Sequence, residues 1–265
     1  MNAVPTTVAE QRERAQSHAT ARADNTARRV SADRTRRSNE ELKAVAERAE
    51  IELANATTDE VADWAAREFG DLMAVACSMA DAVLPHVIAK HLPWVDTLFL
   101  ETGYHFAETE GTRDAVESTM QLTIIDVMPK LSVAEQDDKY GAKLHDLNPA
   151  LCCQMRKVEP LTDTLAGYEA WVTGVRRDEG PTRANTPFVT WDDKNGLVKI
   201  NPLAAWSFDD LIAYADAHEV ILNPLLNDGY PSIGCAPCTR RVAPGEDPRA
   251  GRWAGLDKTE CGLHT

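Results

Sequence analysis

Three short apolar runs, "DLMAVAC" at 71–77, "VDTLFLET" at 95–102 and "QLTIIDVMP" at 121–129, alternate with two helix-patterned stretches, "MADAVLPHVIAKH" at 79–91 and "TRDAVESTM" at 112–120. Strands this apolar have to be covered on both faces, and strands joined through helices run parallel, so this order predicts an α/β fold with a mainly parallel sheet flanked by helices. Two helices are expected before it. "NEELKAVAERAEIELANA" places Leu42, Val45, Ala49 and Leu53 at helical spacing behind a Ser38 or Asn39 cap, and "TTDEVADWAAREFG" starts at a Thr/Asp cap and stops at Gly70.

Beyond Pro129 the pattern reads as irregular until "CCQMRKVEPLTDTLAGY" at 152–168, which is helical, and "EAWVTGVRR" at 169–177, which is strand-like. "PFVTWDDKNGLVKINPL" reads as a hairpin, because "DDKNG" supplies turn chemistry between two β-rich runs. "SFDDLIAYADAHEV" is a capped amphipathic helix, and past Asn223 loop residues dominate. A segment of that kind stays in place only if something ties it down.

At 265 residues and 43% hydrophobic content the chain can bury a sizeable core, and no apolar run approaches the roughly 18 residues of a membrane helix. A soluble, cytoplasmic protein is expected. The net charge of -14 is uneven: residues 1–38 hold eight arginines against Glu10, Glu13, Asp24 and Asp33, leaving -18 on the rest. That acidic body argues against nucleic acid as a partner, and an anionic ligand would need a local basic cluster. Residues 1–38 lack large apolar side chains and read as a disordered tail, with 39–265 as one domain whose last stretch, 240–265, is mobile. The acidic residues in the tail and its lack of an amphipathic stripe argue against an organelle transit peptide.

Six cysteines without an export signal read as metal ligands or redox groups. Cys152 and Cys153 are adjacent, and "GCAPC" sets Cys235 and Cys238 in a CxxC; two such pairs could close around one zinc ion or one four-iron cluster, and spacing tilts only modestly toward the cluster. Cys261 then cannot join a filled four-ligand site and is either an idle tail thiol or a nucleophile on a movable arm, with Lys258 and His264 close enough in sequence to lower its pKa. Cys77 defaults to core or loop lining. "MAVACSMADAVL" puts small and polar residues, Ser78 among them, at a strand-to-helix switch that favours an anion, yet without a glycine fingerprint; an ordinary turn capped by Ser78 is the bland alternative. Arginines and lysines gather late, at 156, 157, 176, 177, 183, 240, 241, 249 and 252, which suits phosphate or sulfate oxygens.

Taken together, "CSMADAVL", "LFLETGYHFAET", "CCQMRKVEPL", "AWVTGVRRDEGPTR", "VKINPLAAWSFDDL", "NPLLNDGYPSIGCAPCT", "DPRAGRW" and "KTECGLH" resemble the assimilatory sulfonucleotide reductases of the PP-loop adenine-nucleotide superfamily, and within them the bacterial adenylyl-sulfate reductases. The resemblance runs from about residue 40 to the end. It implies an adenine-nucleotide alpha-hydrolase-like twisted sheet with a loop-rich C-terminal segment over the active site. It further implies one 4Fe-4S cluster on Cys152, Cys153, Cys235 and Cys238, and Cys261 as the nucleophile. Its substrate would be adenosine 5'-phosphosulfate (APS), reduced to sulfite and AMP through a cysteine S-sulfonate that thioredoxin resolves, in assimilatory sulfate reduction toward cysteine.

By the same resemblance Lys157, Arg249, Arg252 and His264 surround the phosphosulfate, Arg183 is on the substrate side, Ser78 meets the nucleotide, and Leu100 and Gly174 approach the ribose and adenine through backbone. Two departures stand out. The PP-loop has no glycine, with Cys77 where relatives often have serine, and Glu101 replaces the aspartate usual before "TGYHF". Reduction of the 3'-phosphorylated substrate and a zinc-stabilised binding module are the competing readings, and the sequence leaves oligomeric state open, a homo-oligomer included.

Overall fold

A computed structural model describes residues 35–254, 258 and 261–263. Helix α1 (Asn39–Glu52) opens on a Ser38 cap whose hydroxyl accepts from Glu41 N while the Glu41 side chain returns to Ser38, and α2 (Thr58–Phe69) repeats the device with Thr57 and Glu60. Each box satisfies N–H groups that a helix start otherwise leaves bare. Gly70, at φ 49°, ends α2 and turns the chain into β1 (Met73–Ala76). Helix α3 (Val83–Ala89), β2 (Val95–Leu100), α4 (Ala107–Thr119) and β3 (Leu122–Val127) follow in the predicted alternation.

Two further helices, α5 (Val133–Tyr140) and α6 (Leu144–Leu147), occupy the stretch expected to be irregular. The Ser132/Glu135 capping box that starts α5 is present in the sequence, but α5 buries little beyond Gln136 and so carries no apolar stripe. Helix α7 (Pro149–Cys153) passes through a wider π turn at Gln154–Val158 into α8 (Glu159–Leu165). Strand β4 (Ala170–Val172), the hairpin of β5 (Val189–Asp192) with β6 (Leu197–Ile200), and α9 (Phe208–His218) complete the regular elements.

The six strands lie in the order β3-β2-β1-β4-β6-β5, parallel throughout except for the β5–β6 pair. The chain builds outward from β1 through β2 to β3, then returns to lay β4 on the other side of β1. The connections from β1 and β4 leave toward opposite edges of the sheet, so the loops after these strands part and leave a crevice at their carboxyl ends. One apolar layer, with Leu42, Phe69, Met73, Val75 and Ile88, fills one face; Ala74, Leu98, Leu161, Leu165, Trp171 and Leu197 fill the other. Among the described residues no helix is long and apolar enough to cross a membrane.

Of the stretch 1–38, residues 1–34 lie outside the described residues, and the described residues ahead of α1 are tied to the sheet. Arg36 donates to the carbonyls of Tyr168 and Gly196, and Arg37 grips the carboxylate of Glu169 from both its backbone N–H (2.6 Å) and its guanidinium (2.8 Å). Glu169 is buried at the start of β4, where an unpaired carboxylate is costly. Arg37→Ala is expected to lower unfolding free energy by about 2 kcal/mol, read as a reduced denaturation midpoint at unchanged slope. A midpoint equal to the parent's would mean that Glu169 is satisfied without it.

Candidate active site

The crevice at the β1/β4 switch holds a cavity of about 250 Å³. Its walls include Ser78, Leu100, Lys157, Gly174, Arg183, Arg249, Arg252 and Cys261. Every residue that sequence reading assigned to a substrate therefore lines this one space, with His264 lying outside the described residues. Cys152, Cys153, Cys235 and Cys238 line a second, smaller cavity beside it. Thr102, Lys157, Cys235 and Trp253 line both and form the wall between them.

The loop after β1 is shaped without glycine. Met79 is buried at φ 56°, a conformation few side chains adopt, and Asn223 holds it by donating to the Met79 carbonyl (3.0 Å) and to Thr109 Oγ1 (3.1 Å). Asp81 accepts from Val83 N (2.9 Å) and so serves as the turn's acceptor at the start of α3, leaving Ser78 exposed in the cavity mouth rather than capping the helix. The Cys77 thiol donates to the Asp81 carbonyl at 3.4 Å, and burial together with the Asp81 charge pushes it up to about 12, an inert hydrogen-bond donor.

The cysteine cavity is assembled from three parts of the chain. The turn after Cys153 is a π turn, whose extra residue per turn resets which side chains face inward: Arg156 is buried, and Lys157 reaches the dividing wall. The Arg156 guanidinium donates to the carbonyls of Thr102 and Leu131 and to Gln136 Oε1, pinning the "ETGYHF" loop after β2. In that loop Gly103 sits at φ 70°, and a Cβ there would lie 3.0 Å from Arg156 Nη2. Glu101 accepts from Gly103 N at 2.6 Å, which gives this residue a loop-closing role. Ala236 N donates to the Tyr104 carbonyl (2.7 Å), and Thr102 Oγ1 lies 3.4 Å from Cys235 Sγ, so the same loop seats the CxxC turn.

Electrostatics differ sharply among the sulfurs. Burial and the adjacent sulfurs push Cys152 up to about 12 and Cys238 to about 11. Cys235 is as buried as Cys152, yet the Lys157 charge and the Thr102 hydrogen bond outweigh burial and bring its pKa below the ordinary thiol value. Burial works against the Lys157 ammonium too, but Cys235 and Cys261 offset it and leave the Lys157 pKa raised.

Arg252 is half-buried in the cavity wall. Its Nη1 donates to Ser232 Oγ (3.2 Å) and to the Ile233 carbonyl (3.1 Å), and its guanidinium stacks 4.6 Å from the Trp253 ring. Its Nε is buried and has no hydrogen-bond partner among the described residues. Burial and the nearby Arg249 lower its pKa, a penalty that an anion in the cavity would relieve. Gly234 makes this seat: a Cβ there would lie 2.5 Å from Arg252 Nη2 and 2.6 Å from its Cζ. Sequence reading found the arginine but not Thr102, Trp253 or Gly234; the glycine directly before the CxxC was the available signal.

Gly234→Ala should displace the Arg252 guanidinium and weaken binding of inorganic sulfate roughly tenfold by calorimetry. Undiminished affinity would detach Arg252 from anion binding.

Residues 70–241 match the model of the phosphoadenosine phosphosulfate reductase domain. A protein of Streptomyces coelicolor named adenosine 5'-phosphosulfate reductase is 61% identical over 86% of this chain and 97% of its own length. Proteins of the same name from Mycolicibacterium smegmatis and Mycobacterium tuberculosis are 55% and 48% identical, over 88% and 89% of this chain and 98% and 99% of theirs. The crystal structure of phosphoadenylyl-sulfate (PAPS) reductase from Candida auris, in a phosphate complex, superposes with a TM-score of 0.61 at 26% identity, covering 72% of this chain and 94% of that one. Candida glabrata FMN adenylyltransferase, at a TM-score of 0.51 and 10% identity over 81% of each chain, shares the fold alone. With a six-stranded, mainly parallel sheet, a crevice at its switch point and a domain match spanning β1 to the CxxC, the chain belongs to the phosphoadenosine phosphosulfate reductase domain family.

Proposed function

We propose that the chain reduces adenosine 5'-phosphosulfate to sulfite and AMP, with thioredoxin as reductant, through a sulfonate carried on Cys261. The observation that carries this reading is the single cavity that sets the Cys261 thiol among Lys157, Arg249 and Arg252, the last with an unsatisfied buried donor. The names of relatives that match nearly end to end support the 5'-phosphosulfate over its 3'-phosphorylated form.

In the first step the Cys261 thiolate attacks the sulfur of the phosphosulfate. A sulfur–sulfur bond forms, the sulfur–oxygen bond to phosphate breaks, and AMP leaves with the electron pair. Both reactants are anions, so the fixed charges of Lys157, Arg249 and Arg252 offset their repulsion and stabilise the charge growing on the phosphate oxygen. In the second step a thioredoxin thiolate attacks Cys261 Sγ and sulfite leaves with the pair from the sulfur–sulfur bond. The partner thiol of thioredoxin then displaces Cys261, so the dithiol supplies both electrons. Ser78, Leu100, Gly174 and Arg183, which line the same cavity, would hold the nucleotide half.

The second cavity suits one 4Fe-4S cluster held by Cys152, Cys153, Cys235 and Cys238. The donor set is purely thiol, and metal binding would reverse the burial and mutual repulsion that raise Cys152 and Cys238. A four-iron cluster would set each of the four thiolates on a different iron. When bound, it would clamp the CxxC turn to α7 and place a fixed charge beside Lys157. Protein purified without oxygen is expected to be brown with about four irons per chain; a colourless protein with stoichiometric zinc would overturn the cluster.

Incubation with APS and no reductant should add the mass of one SO3 group to the peptide containing Cys261, and thioredoxin should remove it as sulfite. Cys261→Ser should abolish both while iron content is kept. Turnover in that variant would remove Cys261 as nucleophile, and a higher kcat/KM for the 3'-phosphorylated nucleotide would reassign the substrate.

A further inference from the structure

We propose that Glu179, in the loop after β4, is a specificity-determining residue: its carboxylate occupies Arg183 in the cavity wall and so turns away a nucleotide that carries a 3'-phosphate. The inference rests on the reading of the cavity as an adenosine 5'-phosphosulfate site and names what excludes the 3'-phosphorylated form. Glu179 lines that cavity together with Arg176, Arg183 and Asp81. A carboxylate in the wall of an anion site opposes binding in general, and its use lies in selecting among anions.

The loop holds this carboxylate firmly. Glu179 Oε2 accepts from the Arg176 backbone N–H (2.9 Å) and from Arg183 Nη1 (2.5 Å). Arg176 Nε donates to Asp178 Oδ1 (3.1 Å), whose other carboxylate oxygen accepts from Phe208 N (2.7 Å) at the start of α9. Arg177 is turned onto the Thr186 carbonyl and the Phe188 ring. The Arg183 side chain is 11% exposed and that of Glu179 19%, so water screens the pair only weakly. Asp81 meets them from the loop after β1: burial raises its pKa, Arg176 lowers it and the Glu179 charge raises it further, which places these groups in one space. Arg176 and Arg183 are thus matched by Asp178 and Glu179, and this part of the wall offers no net positive charge to a further phosphate.

The two ends of the cavity therefore differ. At the Cys261 end, Lys157 and Arg252 face sulfurs, which leaves them suited to the phosphosulfate group. A nucleotide anchored there by its 5' end has to lay its nucleoside along the remaining wall, where Ser78, Gly174 and Glu179 stand on the loops after β1 and β4. A 3'-phosphate on that nucleoside would give up its hydration to sit against a neutral pair, or would displace Glu179 from Arg183 and leave a carboxylate unpaired in the wall. A 3'-hydroxyl meets neither cost.

The test measures, by calorimetry on the holoprotein, the Kd of AMP and of adenosine 3',5'-bisphosphate in the parent, Glu179→Gln and Glu179→Asp. Glutamine keeps an acceptor for the Arg176 N–H while removing the charge. The preference for AMP should shrink by about tenfold or more in Glu179→Gln and return in Glu179→Asp. In the parent itself, raising ionic strength should narrow the gap between the two nucleotides, because screening weakens the repulsion. A preference that is unchanged in Glu179→Gln, or a gap that widens with salt in the parent, would overturn the inference. If the parent forms no sulfonate on Cys261 with APS yet keeps its nucleotide preference, the proposed function fails alone; binding of neither nucleotide would overturn both.

Discussion

Lys157 carries its ammonium into the wall between two cavities, where burial works against the charged form and the sulfurs of Cys235 and Cys261 more than offset it. The same interaction, seen from the other side, brings the Cys235 thiol below its ordinary pKa while the equally enclosed Cys152 rises to about 12. One cation thus lowers the pKa of a cysteine of the proposed cluster set and also interacts with the sulfur of the proposed nucleophile. In a chain with a net charge of -14 the bulk field would repel an anionic substrate, so the local concentration of Lys157, Arg249 and Arg252 has to be built by the fold.

The fold builds it by converging segments that are far apart in sequence on one switch point. The π turn after Cys153 supplies Lys157 and buries Arg156, which fastens the loop after β2; that loop in turn receives the CxxC turn through Tyr104 and Thr102. Gly234, immediately before the CxxC, leaves the room into which Arg252 lies flat. Thr239 and Arg252 pair across an antiparallel bridge, so the arginine's strand is tied directly to the cysteine turn. The cysteine centre and the anion site are consequently one mechanical unit, and the chain beyond Trp253 returns to both: Lys258 donates to the Pro149 carbonyl at the start of α7, and Lys194 holds Gly262.

Much of this was readable in the sequence because it is written locally. The helix-start caps, left between Ser38 and Asn39 for α1 and read as Thr/Asp for α2, the Gly70 stop, the apolar strands and the "DDKNG" hairpin each depend on neighbouring residues, and each formed, with Ser38 and Thr57 as the caps. The cysteine pairing and the basic cluster were legible as composition in the right order. What escaped depends on long-range contact. Helix α5 covers little core, so its capping box stood without periodicity; Ser78 gave way to Asp81 as the helix-start acceptor because Asn223, 144 positions from Met79, fixes the loop. Lys194 read only as turn chemistry, since nothing local announces its carbonyl partner at Gly262.

Whether Lys157 links the cysteine centre to the reactivity of Cys261 is read by rapid-quench measurement of Cys261 sulfonation by APS in Lys157→Ala holoprotein. The rate should fall by about a hundredfold or more with the iron content kept, and recover in part in Lys157→Arg. A sulfonation rate within twofold of the parent's, in a variant that retains its iron, would contradict it.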